Sequence, residues 1–184
     1  MTFVLDDLRR WPDFEAPELR AWDAADTLIL DEAAALLPAN ELTVIGDDYG
    51  ALTLGALAAG ASRVRVHQDS LAGERALAAN GDGNFESLPL GRELVEGATL
   101  VLVKLPRSLE ALNEIAALIA AYADPSVVVI AGGRIKHMTV TQNEVLKRHF
   151  GQLDVSLARQ KSRLLVARAP IPSSPLPSSP LPSS

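Results

Sequence analysis

The sequence of 184 residues contains no cysteine. This absence excludes disulfides, thiolate metal sites and cysteine nucleophiles, and it is typical of a protein from a reducing compartment. The three histidines, His67, His137 and His149, have no carboxylate partner at the spacing that metal ligands use, so we expect no metal site. A Gly-x-Ser-x-Gly elbow is also absent, which argues against a serine hydrolase.

Long apolar runs and aromatic residues are scarce as well. No apolar run reaches the roughly 18 residues that a membrane-spanning helix needs. The N-terminal residues 1–7 are acidic and lack an apolar core, so we expect no signal peptide, no membrane partner and a cytoplasmic location. Aromatic residues make up 4% of the chain, too few for a platform on which single-stranded bases stack.

Charge is distributed unevenly along the chain, whose net charge is -6. Residues 1–100 hold 7 Lys and Arg against 18 Asp and Glu, whereas residues 101–184 hold 10 against 5. The segregation predicts either a basic face that binds phosphates or a chance difference between solvated helices. A hydrophobic content of 48% fits one globular domain with a full core.

Apolar patterning predicts strands that alternate with helices. We expect strands at Leu42–Ile45, Arg63–His67, Asn84–Leu88, Thr99–Val103, Ser126–Ala131, Gln152–Ala158 and Ser162–Ala169, and helices at 17–37, Ala51–Ala59, Ser70–Asn80, Arg107–Tyr122 and Thr139–Phe150. The last two strands are three residues apart, a spacing that favours a hairpin. The pattern predicts an α/β fold with a mostly parallel sheet and an antiparallel C-terminal edge.

Three segments of the chain differ in character. Residues 1–40 are predicted to form a helical extension that packs on the core, and residues 41–169 the α/β domain. Residues 170–184 repeat Pro-Leu-Pro-Ser-Ser, which predicts an extended, solvated linker or tail. Recognition of this segment by a proline-binding domain is the alternative.

The turn after the first predicted strand, Gly46-Asp-Asp-Tyr-Gly50, occupies the place of a nucleotide-cofactor loop. Such a loop needs glycines, because the backbone must approach the ligand closely and adopt positive φ. Here Asp47, Asp48 and Tyr49 place three side chains between the two glycines. The turn is therefore either a divergent cofactor loop or a closed turn in which Asp48 caps the next helix.

Five segments together resemble the N-terminal domain of the two-domain ribosomal RNA guanine-N2 methyltransferases. They are Leu19–Asp26, Val44–Leu52, Leu102–Leu109, Gly132–Met138 and Arg159–Leu165. The resemblance covers roughly residues 15–168 and implies a Rossmann-like class I methyltransferase fold with a seven-stranded sheet. In this family the C-terminal half binds S-adenosylmethionine and carries an Asn-Pro-Pro-aromatic catalytic motif. The N-terminal half is degenerate, and it aids folding and RNA binding.

The resemblance also implies where a cofactor site would lie in this chain. Its candidates are Gly46, Asp48 and Gly50 in the loop, with Asp69 as the carboxylate that would accept hydrogen bonds from ribose hydroxyls. The catalytic motif would lie after the fourth strand, where this chain reads Lys104-Leu-Pro-Arg107. Lysine cannot accept hydrogen bonds from a target amine. We therefore expect no catalytic residue and no cofactor bound by this domain.

Basic residues lie where the resemblance would place the catalytic motif, and near it. The RNA-binding candidates are Lys104, Arg107, Arg134, Lys136, His137 and Lys161. The first five follow two neighbouring parallel strands, whose carboxyl ends meet at one edge of a sheet. Lysines and arginines gathered there would contact phosphates without reading sequence. A solvated rim around a vestigial pocket is the alternative.

Three functions remain open at this point. The first is a non-catalytic methyltransferase-like domain that aids RNA binding and the folding of a C-terminal catalytic domain beyond the linker. The second is a stand-alone S-adenosylmethionine-dependent methyltransferase with a divergent loop. The third is a protein-interaction module that uses the acidic N-terminal helix and the proline-rich tail.

Overall fold

The computed structural model describes residues 24–37, 41–47, 51–61, 63–67 and 85–171. Its helices are α1 (Ala24–Ala33), α2 (Ala51–Ala58), α3 (Arg92–Val95), α4 (Leu109–Tyr122) and α5 (Val140–His149). Its strands are β1 (Leu42–Ile45), β2 (Val64–His67), β3 (Glu86–Ser87), β4 (Leu100–Lys104), β5 (Val128–Arg134), β6 (Phe150–Val155) and β7 (Ser162–Pro170). The predicted helix at Ser70–Asn80 and the first part of the predicted helix at 17–37 lie outside the described residues.

The seven strands form one sheet in the order β3-β2-β1-β4-β5-β7-β6. Strands β1 to β5 are parallel where they pair, whereas β7 is antiparallel to both β5 and β6. The mostly parallel sheet with an antiparallel C-terminal edge is therefore confirmed. Strand β1 is buried throughout and β4 at all but its last residue, as expected for strands covered on both faces.

Two predicted boundaries were wrong because strand pairing overrides local pattern. Strand β5 was expected to end at Ala131 but continues to Arg134, which pairs with Ser162 of β7. Phe150 was expected to end a helix, but it begins β6 and pairs with Pro170. The Arg134–Ser162 pair brings the end of β5 and the start of β7 to the same edge of the sheet, whereas the Phe150–Pro170 pair lies at the opposite edge.

Helix α4 begins two residues later than predicted. The hydroxyl of Ser108 caps it by accepting a 3.1 Å hydrogen bond from the Ala111 N–H. Arg107, predicted as the first helical residue, therefore lies in the loop that follows β4. Helix α3 was not predicted, because a single turn gives no recognisable periodicity.

Helices cover both faces of the sheet. Helices α1 and α2 pack on one face, where Ile29 and Leu102 are fully buried. Helices α4 and α5 pack on the other, around residues such as Ile119 and Val103. Each face buries a continuous apolar layer, which is the general solution for a parallel sheet.

Helix α1 lies directly on β5. A Cβ atom at Gly132 would be 2.7 Å from Cγ1 of Ile29, closer than real Cβ contacts allow. Gly132 pairs in register with Lys104 at the end of β4. Asp26 precedes Ile29 by three residues and so shares its face of the helix.

The division of the chain at residues 40 and 169 stays a prediction.

The turn between β6 and β7 is tight and unusual in its residues. Arg159 and Ser162 form an isolated antiparallel bridge, with reciprocal backbone hydrogen bonds of 2.9 and 3.0 Å. Gln160 and Lys161 between them adopt φ of 52° and 64°. Such two-residue turns favour Asn-Gly. Glycine has no Cβ, and asparagine adopts positive φ more readily than most residues that have one.

We predict that the double replacement Gln160→Asn/Lys161→Gly stabilises the protein by about 1 kcal/mol, because it relieves strain at two left-handed positions. Calorimetric unfolding should show a higher Tm. Gln152→Asn, the same amide exchange in regular strand β6, is the control and should give no increase. An unchanged or lower Tm for the double variant would show that the turn is unstrained.

Candidate functional site

A cleft of about 530 Å³ opens at the carboxyl ends of the parallel strands. Apolar side chains supply much of its lining, namely Ile45, Leu90, Leu105, Ile115 and Met138. Polar and charged side chains also line it, namely His67, Lys104, Arg107, Glu114, Arg134, His137 and Gln142. Its position is where open α/β sheets usually bind ligands.

Gly46 ends β1 beside the cleft, with φ of 85°. A Cβ atom there would lie 3.2 Å from both the Cβ and the carbonyl oxygen of Lys104. The glycine therefore allows the ends of β1 and β4 to approach closely. The backbone at this position packs against protein, so the glycine is explained without a cofactor.

Asp47 is buried and acts as a helix cap. Its carboxylate accepts hydrogen bonds from the backbone N–H groups of Leu52, at 3.1 Å, and Thr53, at 2.9 Å. Burial raises the pKa of Asp47 above its ordinary value of 3.8, although the hydrogen bonds to Thr53 and Leu52 oppose this shift. Asp47 therefore caps α2, whereas the cap that we predicted at Asp48 lies outside the described residues and stays a prediction.

Three of the four cofactor-binding candidates, Asp48, Gly50 and Asp69, lie outside the described residues and stay predictions. At the described end of β2 the side chain is the imidazole of His67. Its Nδ1 lies 2.9 Å from the Leu88 carbonyl oxygen, to which it can only donate.

Lys104, at the end of β4, forms an ion pair across the sheet with helix α1. Its Nζ lies 3.0 Å from Oδ1 of Asp26, and the two side chains are 18% and 7% exposed. A pair this buried is held in place, because separating the charges would leave one of them poorly solvated. The ammonium is therefore directed at Asp26.

Arg107 and His137 join the loops after β4 and β5. Nη2 of Arg107 lies 3.2 Å from Nε2 of His137. Arginine can only donate, so the histidine nitrogen accepts and the ring is neutral. Partial desolvation lowers the pKa of His137, as do Arg107, Lys136 and Arg134.

The hairpin tip reaches the same region. The Ile135 N–H, in the 3-10 turn after β5 at Ile135–His137, donates a 2.9 Å hydrogen bond to the Lys161 carbonyl oxygen. Lys136 lies in that turn and is exposed, as is Lys161. Four of the six predicted RNA-binding residues line the cleft, and these two lie beside it.

Sequence reasoning missed Asp26 and Gln142. Asp26 lies next to the apolar stripe that includes Ala25 and Ile29, but its place in the sequence does not show that its carboxylate is buried. Gln142 is the third residue after Thr139, and its Oε1 accepts a 3.2 Å hydrogen bond from the Thr139 N–H. This Thr-x-x-Gln capping box was visible in the sequence.

The described part of the cleft does not fit S-adenosylmethionine. That ligand has a positively charged sulfonium, whereas Lys104, Arg107 and Arg134 line the cleft. Glu114 is the single carboxylate among the described lining residues. No step of a reaction is therefore derived through this cofactor.

The described residues contain neither a candidate metal site nor a helix that could span a membrane. Within the described ranges, no group of three or more His, Asp or Glu side chains could hold a metal ion. None of the described helices is long and apolar enough to cross a membrane.

Comparison with known proteins gives a consistent result for most of the chain. A sequence model of the RLMG N-terminal domain family matches residues 3–170. The chain is 37% identical over 181 residues to ribosomal RNA large subunit methyltransferase G of Pseudomonas entomophila, covering 91% of this chain and 47% of that protein. It is 34% identical over 168 residues to the protein of that name from Pseudomonas putida W619, covering 88% and 45%. The chain spans about half the length of the curated relatives it matches.

Solved structures share the fold at low sequence identity. The 16S rRNA N2 methyltransferase of T. thermophilus, solved with AdoMet and guanosine, has a TM-score of 0.66 at 19% identity, covering 88% of this chain and 43% of that chain. The ribosomal protein L11 methylase of Lactobacillus delbrueckii subsp. bulgaricus has a TM-score of 0.63 at 15% identity, covering 86% and 92%. The predicted Rossmann-like methyltransferase fold is thereby confirmed.

Removing one partner of the buried ion pair should be costly. We predict that Lys104→Met lowers the free energy of unfolding by about 3 kcal/mol, because Asp26 loses its ammonium partner. The double variant Asp26→Leu/Lys104→Met should recover most of this loss, because neither charge then remains buried. Urea unfolding measures both values. Arg168→Met, which removes an exposed pair with Asp154, should cost less than about 1 kcal/mol. Additive losses in the double variant would contradict coupling between Asp26 and Lys104.

Asp47 should give stability an unusual dependence on pH. Its folded pKa is raised, so its contribution to stability is largest below 3.8 and is lost as pH rises through the folded pKa. We predict that the stability difference between the wild type and Asp47→Asn shrinks from about pH 4 to about pH 7. Urea unfolding across this range tests it, with Asp154→Asn as the exposed control. A difference that grows with pH would contradict the raised pKa.

Proposed function

The chain belongs to the RLMG N-terminal domain family, and from this premise we propose that it is a non-catalytic domain that binds ribosomal RNA. The predicted resemblance to the N-terminal half of an rRNA methyltransferase is confirmed by the family match. The RNA would lie along the carboxyl edge of the sheet. A cytoplasmic location, where ribosomes assemble, belongs to the same proposal.

The observation that carries this proposal is the grouping of cations around one cleft. Arg107 lies in the loop after β4 and Arg134 at the end of β5, and Lys136 and Lys161 lie beside them. His137, which is neutral here, lies in the same turn as Lys136. Cations at one edge attract a polyanion by long-range electrostatics and contact its phosphates directly. Such contacts need no stacking aromatics, which suits a chain with so few of them.

We infer that this domain does not transfer methyl groups, and Lys104 is the main support for this inference. Transfer of a methyl group to an exocyclic amine needs a hydrogen-bond acceptor that orients the lone pair of the amine nitrogen. The Lys104 ammonium has no lone pair to accept the amine protons, and it is paired with Asp26. The described lining residues also disfavour a cationic cofactor. We therefore assign no catalytic residue to this domain.

A second, catalytic domain is part of the proposal. The curated relatives are about twice as long as the matched region, which supports a further domain in those proteins. We infer that this domain helps a C-terminal methyltransferase half to fold and to hold its RNA, with residues 170–184 as the linker. A stand-alone methyltransferase and a protein-interaction module remain the alternatives.

Charge reversal tests the RNA-binding edge. We expect Arg107→Glu/Arg134→Glu/Lys136→Glu to weaken binding to large-subunit rRNA fragments at least about tenfold, and to reduce the salt slope by about 0.7 for each phosphate that is no longer neutralised. The matched control is Arg63→Glu/Lys147→Glu/Arg148→Glu, which makes the same charge change at the opposite edge of the sheet. Filter binding at several salt concentrations measures both variants. Equal losses in the two variants would place the RNA elsewhere.

Calorimetry with S-adenosylmethionine tests the non-catalytic part separately. We expect no saturable heat, because the cleft is lined by cations. Micromolar binding would favour the stand-alone methyltransferase, whatever the result with RNA.

A further inference from the structure

The cleft has features that binding to an RNA backbone does not need. Phosphate contacts require exposed cations, whereas this site is also a concavity of about 530 Å³ with an apolar lining. We propose, building on the proposed function, that the cleft takes one phosphate-bearing nucleotide unit, with its base and sugar inside and its phosphate between Arg107 and Arg134. The two sources of such a unit are a nucleotide within an RNA chain and a free nucleotide.

The interior of the cleft suits a flat, partly polar group. Its size falls within the range of small-molecule sites, and the side chains of Leu105, Ile115 and Met138 offer apolar contact to a base. Gln142 lies at its wall and is 3% exposed. Its Oε1 is engaged by the Thr139 N–H, so its amide NH2 is the end that can donate to an acceptor on a base or sugar.

The mouth of the cleft suits a phosphate. Arg107 and Arg134 are exposed; Arg107 lies on the loop after β4, and Arg134 is the last residue of the neighbouring strand β5. A guanidinium presents two parallel N–H groups that match phosphate oxygens. The Lys104 ammonium is directed at Asp26, which leaves the two arginines as the described cations best placed for this role.

The hydrogen bond between Arg107 and His137 gives the proposal a distinctive signature. In the structure the histidine accepts from the guanidinium and is neutral. A phosphate bound by Arg107 would compete for that guanidinium and release Nε2 of His137. It would also offset the three cations, Arg107, Lys136 and Arg134, that lower the pKa of His137. His137 should then take up a proton and donate to the phosphate.

Other groups around His137 do not reverse this expectation. Helix α4 contributes Glu114, whose negative charge favours a proton on the ring. Strand β2 contributes His67, helix α5 contributes the uncharged Gln142, and the hairpin tip contributes Lys161. A purely superficial phosphate contact at Lys136 or Lys161 would leave the Arg107–His137 hydrogen bond intact, so Nε2 of His137 would stay occupied and proton uptake would be smaller than for a phosphate bound by Arg107.

The test is calorimetry of the full chain with guanosine 2′,3′-cyclic phosphate, whose diester does not titrate near neutrality. We expect saturable binding at least about tenfold tighter than that of guanosine or inorganic phosphate, because both parts of the ligand contribute. Affinity should rise from about pH 8 to about pH 6, and two buffers of different ionisation enthalpy should show proton uptake. His137→Gln should abolish the proton uptake.

Two variants separate the cleft from the surface. Ala111→Met places a larger apolar side chain at the cleft wall without changing charge, and should weaken nucleotide binding about tenfold while RNA fragments still bind. Arg107→Gln should also weaken the nucleotide, and it keeps the test valid if Ala111→Met fails to fold. A short oligoribonucleotide and guanosine 5′-monophosphate distinguish the two sources, since the tighter ligand identifies the source.

The outcomes bear on the two proposals differently. Equal binding of inorganic phosphate and the cyclic nucleotide, or no effect of Ala111→Met, would overturn the cleft proposal. Retained RNA binding with no binding of either nucleotide would also overturn it, while the proposed function stands. If the wild-type chain binds neither RNA nor a nucleotide, the proposed function is overturned as well.

Discussion

The contact of helix α1 with strand β5 is the constraint on which the functional edge depends. Ile29 occupies the space that a side chain at position 132 would need, so the helix lies close against the sheet. Gly132 is the register partner of Lys104, and Asp26 lies one helical turn before Ile29. The seating of the helix therefore brings a buried carboxylate to the end of β4. A helix held farther away could not deliver it.

The ion pair that results changes the character of the cleft. At the end of β4 the ammonium of Lys104 is paired with the carboxylate of Asp26. Gly46 also contacts the end of β4, because its backbone packs against Lys104. The neighbouring loops then supply Arg107 and Arg134, so the entrance is cationic.

Much of the fold could be predicted from sequence, because apolar runs such as Leu42–Ile45 read directly as buried parallel strands. The gathering of basic residues at one edge could also be predicted, since parallel strands share a carboxyl end. Asp47 and Asp26 could not be assigned, because a carboxylate in a sequence does not show whether it points inward. Pairings between distant residues, such as Phe150 with Pro170, likewise set boundaries that local pattern misplaced. The Asp26–Lys104 and Phe150–Pro170 contacts join residues far apart in the sequence, which local pattern cannot anticipate.

The Asp26–Lys104 pair also has a consequence for the substitutions that the domain tolerates. Lys104→Asn alone would place an acceptor at the end of β4, but it would leave the Asp26 carboxylate buried beside a neutral amide. Replacing Asp26 first would instead leave the lysine charge without that carboxylate. Each single step lowers stability, so we expect the two positions to change together. A buried pair of this kind therefore couples the substitutions that the chain tolerates at two places 78 residues apart.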